Sequence, residues 1–124
     1  MDGKGQSGSG MTIKNSSTEK LPEIKFNEQE HNFGKVKPGE TVGCYFKYKN
    51  TGKKPLIISS AHATCGCTVP EFSKEPLAPG QNGFLKVVFD TSGRSGMQSK
   101  SITIESNASN NVVILRIRAE IVDE

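Results

Sequence analysis

The sequence has no tryptophan, and only 33% of its 124 residues are hydrophobic. Its longest uninterrupted apolar run is Val112–Leu115. Because a membrane-spanning helix needs about 20 apolar residues, the sequence predicts no transmembrane segment. The start of the chain also has no apolar stretch that could act as a secretory signal. A single, thin hydrophobic core is expected.

An excess of one charge is also missing. The chain has 16 basic and 13 acidic residues, a net charge of +3, and no Lys/Arg run is longer than two. Its six phenylalanines and two tyrosines are spread over separate segments. Because nucleic-acid surfaces combine basic grooves with stacking aromatics, nucleic acid is not predicted as a partner.

Recognisable catalytic motifs are absent as well. The sequence has no phosphate-binding loop, no nucleophile elbow and no dinucleotide-binding glycine pattern. Its only histidines are His31 and His62, and His31 is expected at the surface or at a strand end. No catalytic residue and no cofactor are predicted, so the chain is not expected to be an enzyme.

Residues 1–20 differ in composition from the rest of the chain. They contain three aliphatic side chains, and residues 2–10 have the composition of a flexible Gly/Ser linker. Met11 follows directly and could be a second start, which would make residues 1–10 a remnant of cloning. We predict a disordered leader at residues 1–20 and one domain at residues 21–124.

Apolar residues after the leader recur with a period of two, the period of a β-strand. In Val42–Lys49 the even-numbered residues share one apolar face, and Val113–Ile121 alternates in the same way. Leu56–Ile58 is a continuous apolar run, which predicts a strand buried on both faces. Pro38-Gly39 and Pro79-Gly80 each separate two strand candidates and are typical of type II turns.

This pattern predicts an all-β fold, an immunoglobulin-like β-sandwich of about seven antiparallel strands. An OB-type barrel is the alternative, but no segment can supply its helix. The predicted strands are Ile24–Phe26 with Glu30–Val36, Val42–Lys49, Leu56–Thr64, Thr68–Glu71, Phe84–Asp90, Lys100–Ser106 and Val112–Ile121.

Two of the three cysteines lie in residues 62–68, His-Ala-Thr-Cys-Gly-Cys-Thr. One interpretation is a redox dithiol, in which Gly66 lets the sulfurs of Cys65 and Cys67 meet. Cα atoms two apart in an ideal strand are ~6.6 Å distant, near the upper limit for a disulfide, so the bond would be strained and easily reduced. Against this interpretation, no Lys or Arg lies within six residues of the pair.

Two other interpretations of this segment remain open. His62, Cys65 and Cys67 could bind Cu(I) or Zn²⁺, with Cys44 as a fourth ligand from a neighbouring strand. Since His62 and Cys65 have opposite strand parity, the chain would then have to turn between them. Alternatively, the small residues fill a tight corner at a strand end, and Cys44 is part of the core.

Several segments, taken in order, resemble a known family. The segments are His31–Val36, Pro38–Glu40, Phe46–Gly52, Pro55–Ile58, Thr64–Pro70 and Leu77–Gly80. Together they resemble a bacterial domain-of-unknown-function family, abundant in Bacteroidetes, whose hallmark is Cys-Gly-Cys-Thr. More distantly, they resemble the immunoglobulin-like domains of the abnormal-spindle/hydin and major-sperm-protein kind. The likeness covers residues 30–122.

The resemblance implies a seven-stranded immunoglobulin-like sandwich and supplies no established activity. It also implies an exported protein, periplasmic or at the cell surface, whose native precursor could carry a lipid anchor. Export would permit a disulfide, and three cysteines would then leave one unpaired.

The sequence therefore favours a non-enzymatic β-sandwich module that binds another protein or has a structural role in the cell envelope. Function in such a module would lie in the loops or at a strand edge. The alternative is a thiol redox or metal-binding protein that acts through Cys65 and Cys67, with His62 as a further metal ligand.

Overall fold

The structure is a computed structural model that describes residues 21–123. The predicted leader, residues 1–20, lies outside the described residues. Eight strands form two sheets of four, so the predicted immunoglobulin-like sandwich is confirmed. The strands are β1 (Ile24–Phe26), β2 (Glu30–Val36), β3 (Thr41–Asn50), β4 (Ile58–Ala63), β5 (Thr68–Glu71), β6 (Asn82–Asp90), β7 (Gly96–Ser106) and β8 (Val112–Ile121).

Sheet A has the strand order β1-β3-β6-β5, and sheet B has the order β2-β8-β7-β4. The segment predicted as one strand at the start of the domain is two strands, because the chain leaves sheet A after β1 and joins sheet B as β2. One pair departs from the predicted antiparallel pattern, since β2 runs parallel to β8. The other paired strands are antiparallel.

The core lies between the two sheets and follows the predicted alternation. In β8 the odd-numbered residues are buried, and in β3 Cys44, Phe46 and Tyr48 are buried on one face. Each sheet thus has one dry face and one wet face, as expected for a two-layer antiparallel sandwich. Among the described residues, no helix is long and apolar enough to cross a membrane.

The run Leu56–Ile58 differs from its prediction. Leu56 and Ile58 are buried, but Ile57 is 38% exposed, so the prediction of burial on both faces is wrong. β4 begins only at Ile58, and Leu56 forms an isolated bridge with Leu77. The physical reason is that each sheet of a two-layer sandwich has one face toward solvent, so Ile57, between the buried Leu56 and Ile58, points outward.

Both predicted proline-glycine turns form. The N–H of Glu40 donates to the Lys37 carbonyl at 3.2 Å, and Gly39 has a φ of +89°. The second turn has the same geometry, with a φ of +83° at Gly80. A positive φ at this position is what a type II turn requires.

One buried amide, Asn50, ties together the loops at the end of the sandwich where β3 ends. Its Nδ2 donates to the carbonyls of Lys54, at 2.7 Å, and Leu77, at 2.9 Å. Its Oδ1 accepts from the N–H groups of Gly52, at 2.9 Å, and Glu23, at 3.4 Å. A fully buried amide with these partners is satisfied, so it stabilises this end of the fold.

Candidate functional site

The predicted cysteine pair lies where the chain crosses from sheet B to sheet A. The crossing connects β4 to β5, which are the edge strands of the two sheets. Cys65 and Cys67 form a disulfide across Gly66, with their Cα atoms 5.4 Å apart. The chain turns here rather than staying extended, which brings the Cα atoms closer than the strand geometry assumed in the sequence argument.

Backbone hydrogen bonds hold both ends of this crossing. The N–H of Thr64 donates to the Ser101 carbonyl of β7 at 3.0 Å, and the N–H of Asp90 donates to the Cys67 carbonyl at 2.9 Å. Cys65 and Cys67 are both half-buried, and Cys67 packs against the core. The disulfide is therefore fixed in position and still reachable from solvent.

Charged groups from the end of β6 lie next to the crossing. The Ser92 N–H donates to the Asp90 carboxylate at 3.0 Å. This bond, the Ser92 hydroxyl and nearby Arg94 lower the pKa of Asp90. The Nε of Arg94 is buried and has no hydrogen-bond partner among the described residues. The crossing thus lies beside a turn with one ionised carboxylate and one guanidinium.

The structure places the other predicted ligands away from this pair. His62 lies on the outer, exposed face of β4, opposite Thr103. Cys44 is a buried free cysteine in β3, and β6 lies between β3 and the strand that follows Cys67. Within residues 21–123, no three His, Cys, Asp or Glu side chains are grouped so that they could hold a metal ion. In the oxidised form shown, Cys65 and Cys67 bind each other, so a metal would need the reduced pair.

A second candidate site, missed by the sequence argument, lies on the outer face of sheet A. Tyr45 of β3 is 65% exposed and Phe84 of β6 is 57% exposed. Their rings meet edge to face, with centroids 6.2 Å apart. The sequence did contain a signal for this site. Tyr45 and Phe84 each occupy a position of the alternating pattern that faces solvent, where a large aromatic side chain is unexpected.

Four lysines surround this aromatic pair on the same face. The Nζ of Lys86 lies 5.9 Å from the centroid of the Tyr45 ring, which is a cation–π distance. The acidic groups on this face are Glu23, Glu71 and, at its far end, Asp90. We call the surface the aromatic-lysine face; its residues are Tyr45, Phe84, Lys25, Lys47, Lys49 and Lys86.

A cleft of about 200 Å³ adjoins the aromatic-lysine face at the point where β1 ends. It is lined by Asn27, Glu28, His31, Tyr45, Phe46 and Lys47. His31 is half-buried and packs edge to face on Phe33, with centroids 4.7 Å apart. The cleft therefore joins the surface of β3 to the start of β2.

Comparisons with known proteins agree with this fold. The sequence model of a family described as Protein of unknown function (DUF1573) matches residues 24–121. A solved protein of unknown function from Porphyromonas gingivalis W83 superposes with a TM-score of 0.73 at 17% identity, covering 84% of this chain and 49% of that chain. This chain thus spans about half the length of that structure. No curated protein sequence matches the chain.

Two further solved structures bear on the distant resemblance. The ASH / PapD-like domain 7 of human CEP192 has a TM-score of 0.66 at 11% identity, covering 84% of this chain and 88% of that one. WR4, an MSP family member from C. elegans, has a TM-score of 0.51 at 6% identity, covering 80% and 97%. Identities this low show a shared fold, which confirms the predicted likeness to these immunoglobulin-like domains.

Proposed function

Because this chain belongs to the family Protein of unknown function (DUF1573), we propose that it is a non-enzymatic β-sandwich module that binds another protein in the bacterial cell envelope. Its described residues form one packed sandwich whose distinctive surfaces are a face and a crossing rather than a deep cavity. Common sandwich scaffolds acquire function through such surfaces.

The observation that carries this proposal is the exposed Tyr45–Phe84 pair. Aromatic side chains are enriched at the centres of protein interfaces, where they bury a large area at a small entropic cost. Here the pair lies at the middle of the aromatic-lysine face, with lysines around it. An apolar centre with a charged rim is the usual anatomy of a protein-binding surface.

Two observations support an exported location. The family resemblance implies a periplasmic or surface-associated protein, and disulfides persist in oxidising compartments. The Cys65–Cys67 bond fits such a compartment. Fractionation of cells that make the native precursor tests this part: we expect the protein, and any lipid anchor, in the envelope fraction, and recovery in the cytosol would refute it.

The test of the binding function uses two matched double variants. Y45S/F84S removes the aromatic pair from sheet A, and V112S/I114S removes two similarly exposed apolar residues from the outer face of sheet B. Both should keep the fold, as judged by circular dichroism. In producing cells treated with a cross-linker, the wild-type chain should form a discrete adduct that Y45S/F84S loses and V112S/I114S keeps. Equal adducts from both variants would refute the proposal for this face.

A thiol function through Cys65 and Cys67 is the second candidate, and the disulfide itself favours it. A thiolate of a partner dithiol would attack one sulfur, form a mixed disulfide and release the other cysteine as a thiolate. The partner's second thiolate would then attack the partner's sulfur in the mixed disulfide. This leaves the partner oxidised and Cys65 and Cys67 reduced. The two thiolates of the reduced pair would also be candidate ligands for Cu(I) or Zn²⁺.

Two experiments separate the candidates: intact mass with and without alkylation tests the thiol function, and cross-linking of C65S/C67S tests the binding function. The thiol function predicts rapid, reversible reduction by a dithiol, or a stoichiometric metal retained by the reduced chain in native spectra. The binding function predicts that C65S/C67S still forms the partner adduct. Loss of that adduct with the fold unchanged would move function to the cysteines.

A further inference from the structure

β3 pairs with β6 along one side, but on its other side the residues from Thr41 to Phe46 have no strand partner among residues 21–123. β1 pairs only with Tyr48–Asn50, and the last bond on this side runs from the Asn27 N–H to the Lys47 carbonyl at 3.0 Å. Beyond it the chain crosses to sheet B as β2. The remaining half of this edge therefore presents unpaired backbone to solvent.

The direction of these backbone groups follows from the bonds that are made. The carbonyl of Lys47 points toward β1, where it accepts from the Asn27 N–H. The N–H of Asn50 points the other way, toward β6, and donates to the Gln81 carbonyl at 3.1 Å. Since backbone groups alternate along a strand, Gly43 and Tyr45 point toward the open side. Each has one N–H donor and one C=O acceptor, so the edge can bind an added strand.

The edges of β5, β4 and β2 each carry a feature that hinders such pairing. β5 contains Pro70, which has no N–H to donate. β4 is irregular between Ile58 and Ser60, and β2 is irregular around Gly34, which has a φ of +75°. Bulges and prolines are common means of blocking edge-to-edge association. The open half of β3 has neither.

The surroundings of this edge provide places for the side chains of an added strand. On the outer side lies the exposed ring of Tyr45, next to Gly43, where side-chain atoms of Val88 and Lys86 approach the backbone. On the inner side, the cleft lined by His31 and Phe46 opens next to the same edge. Because successive side chains of a strand point to opposite sides, a bound segment would use the two places in turn.

Charge decides which kind of segment fits. Lys25 lies directly opposite Lys49 on the aromatic-lysine face, and Lys47 is the next residue along that face. Like charges directly opposite each other are destabilising, and an acidic segment would relieve this repulsion. The same lysines would repel the lysines of a second copy of this chain placed on this edge. Three acidic residues lie near the open backbone: Glu28 lines the cleft, Glu40 directly precedes Thr41, and Asp90 lies opposite Thr41.

We infer that residues 41–46 of β3 are a docking edge that takes an extended, acidic segment of a partner protein as an added strand. The inference rests on the proposed binding function and names the chemistry of the partner. Hydrogen bonds to Gly43 and Tyr45 hold the segment in line, the ring of Tyr45 packs against its apolar side chains, and Lys47 pairs with its carboxylates.

The test is a titration of the ¹⁵N-labelled chain with two capped peptides of six residues. One alternates glutamate with valine, and the other alternates lysine with valine. We expect the glutamate peptide alone to shift the amide signals of Gly43 and Tyr45 and to slow their hydrogen exchange by about tenfold at saturation. The binding should weaken as salt is raised, since exposed charges are screened.

A pair of charge reversals provides the matched control. K47E should weaken binding of the glutamate peptide roughly fivefold, the scale of exposed ion pairs. R116E reverses an exposed charge on the outer face of sheet B and should leave the affinity unchanged. Equal effects of the two variants would overturn the assignment to this edge.

The remaining outcomes are also decisive. Equal binding of both peptides, shifts confined to other strands, or no binding would overturn the inference. Protection of Gly43 and Tyr45 that grows with protein concentration alone would identify a second copy as the occupant and overturn it too. If the peptides fail while Y45S/F84S still abolishes the cellular adduct, the binding function stands and only the acidic strand is rejected.

Discussion

Gly83 shows how one atom can decide packing in this sandwich. It lies opposite Tyr48 in the β3–β6 pair, and the buried Tyr48 ring covers it. A Cβ at this position would lie 2.6 Å from Cζ of Tyr48, inside van der Waals contact. The absence of a side chain at Gly83 is therefore what allows the tyrosine ring to enter the core.

We expect Gly83→Ala to lower the free energy of unfolding by about 1–3 kcal/mol, the usual cost of overpacking. Urea denaturation followed by circular dichroism measures the change. Gly66→Ala is the matched control, because a Cβ there would meet nothing within 4 Å. Equal midpoints for the two variants would show that the Tyr48 ring moves aside without cost.

The candidate site could be predicted only in part from single residues. The spacing of Cys65 and Cys67 indicated a local pair, and the structure shows the pair bonded. His62 is three residues from Cys65 but lies on the exposed outer face of β4, so nearness along the chain does not imply a shared site. Tyr45 and Phe84 are 39 residues apart, and only the β3–β6 register brings them together.

At the scale of elements, Asn50 couples the end of β3 to three separate segments. Replacing it with Ala would leave the Lys54 carbonyl and the Gly52 N–H without this partner, whereas the Leu77 carbonyl would keep its bond from the Leu56 N–H. Each such orphaned group costs about 1–3 kcal/mol.

We therefore expect Asn50→Ala to lower the free energy of unfolding by about 2 kcal/mol or more. Asn107→Ala, at an exposed loop amide that also bonds backbone groups, should cost less. Thermal and urea unfolding of both variants would measure the difference. A smaller loss for Asn50→Ala than for Asn107→Ala would contradict this account of the loops.

Most strands could be read from the sequence because alternation is a local signal. The bounds of β1, β2, β5 and β8 agree with the prediction, while β7 begins at Gly96 rather than Lys100. The early part of β7 was missed because exposed residues such as Met97 and Ser99 give it no apolar face. The parallel β2–β8 pairing could not be predicted, since it depends on contacts between distant segments.

At the scale of the whole molecule, the single core holds two groups that titrate in alkaline solution. Burial raises the pKa of the Cys44 thiol from 9.0 to about 11, and burial also raises the pKa of the Tyr48 phenol. At a pH between 9.0 and about 11, the Cys44 thiol keeps its proton in the folded protein and loses it in the unfolded chain. Stability should thus be steady below about pH 9 and fall as the pH rises toward 11.

Urea denaturation at a series of pH values tests this expectation. Cys44→Ala should flatten the decline, although it lowers stability at every pH by loss of core volume. Val87→Ala, which removes volume directly opposite Cys44, should keep the decline of the wild-type chain. If Cys44→Ala and Val87→Ala show the same slope, ionisation of the thiol is not the cause.

The parallel pairing of β2 with β8 has a consequence for mechanical load. A pull on the Glu30 end of β2 and the Ile121 end of β8 acts at opposite ends of the paired strands. The force then shears the hydrogen bonds between them together, whereas peeling would break them one at a time. In single-molecule stretching through residues 30 and 121, we expect a higher unfolding force than for the β7–β8 hairpin opened through residues 96 and 121. The parallel pair is therefore the part of the sandwich that best resists a pull along its strands.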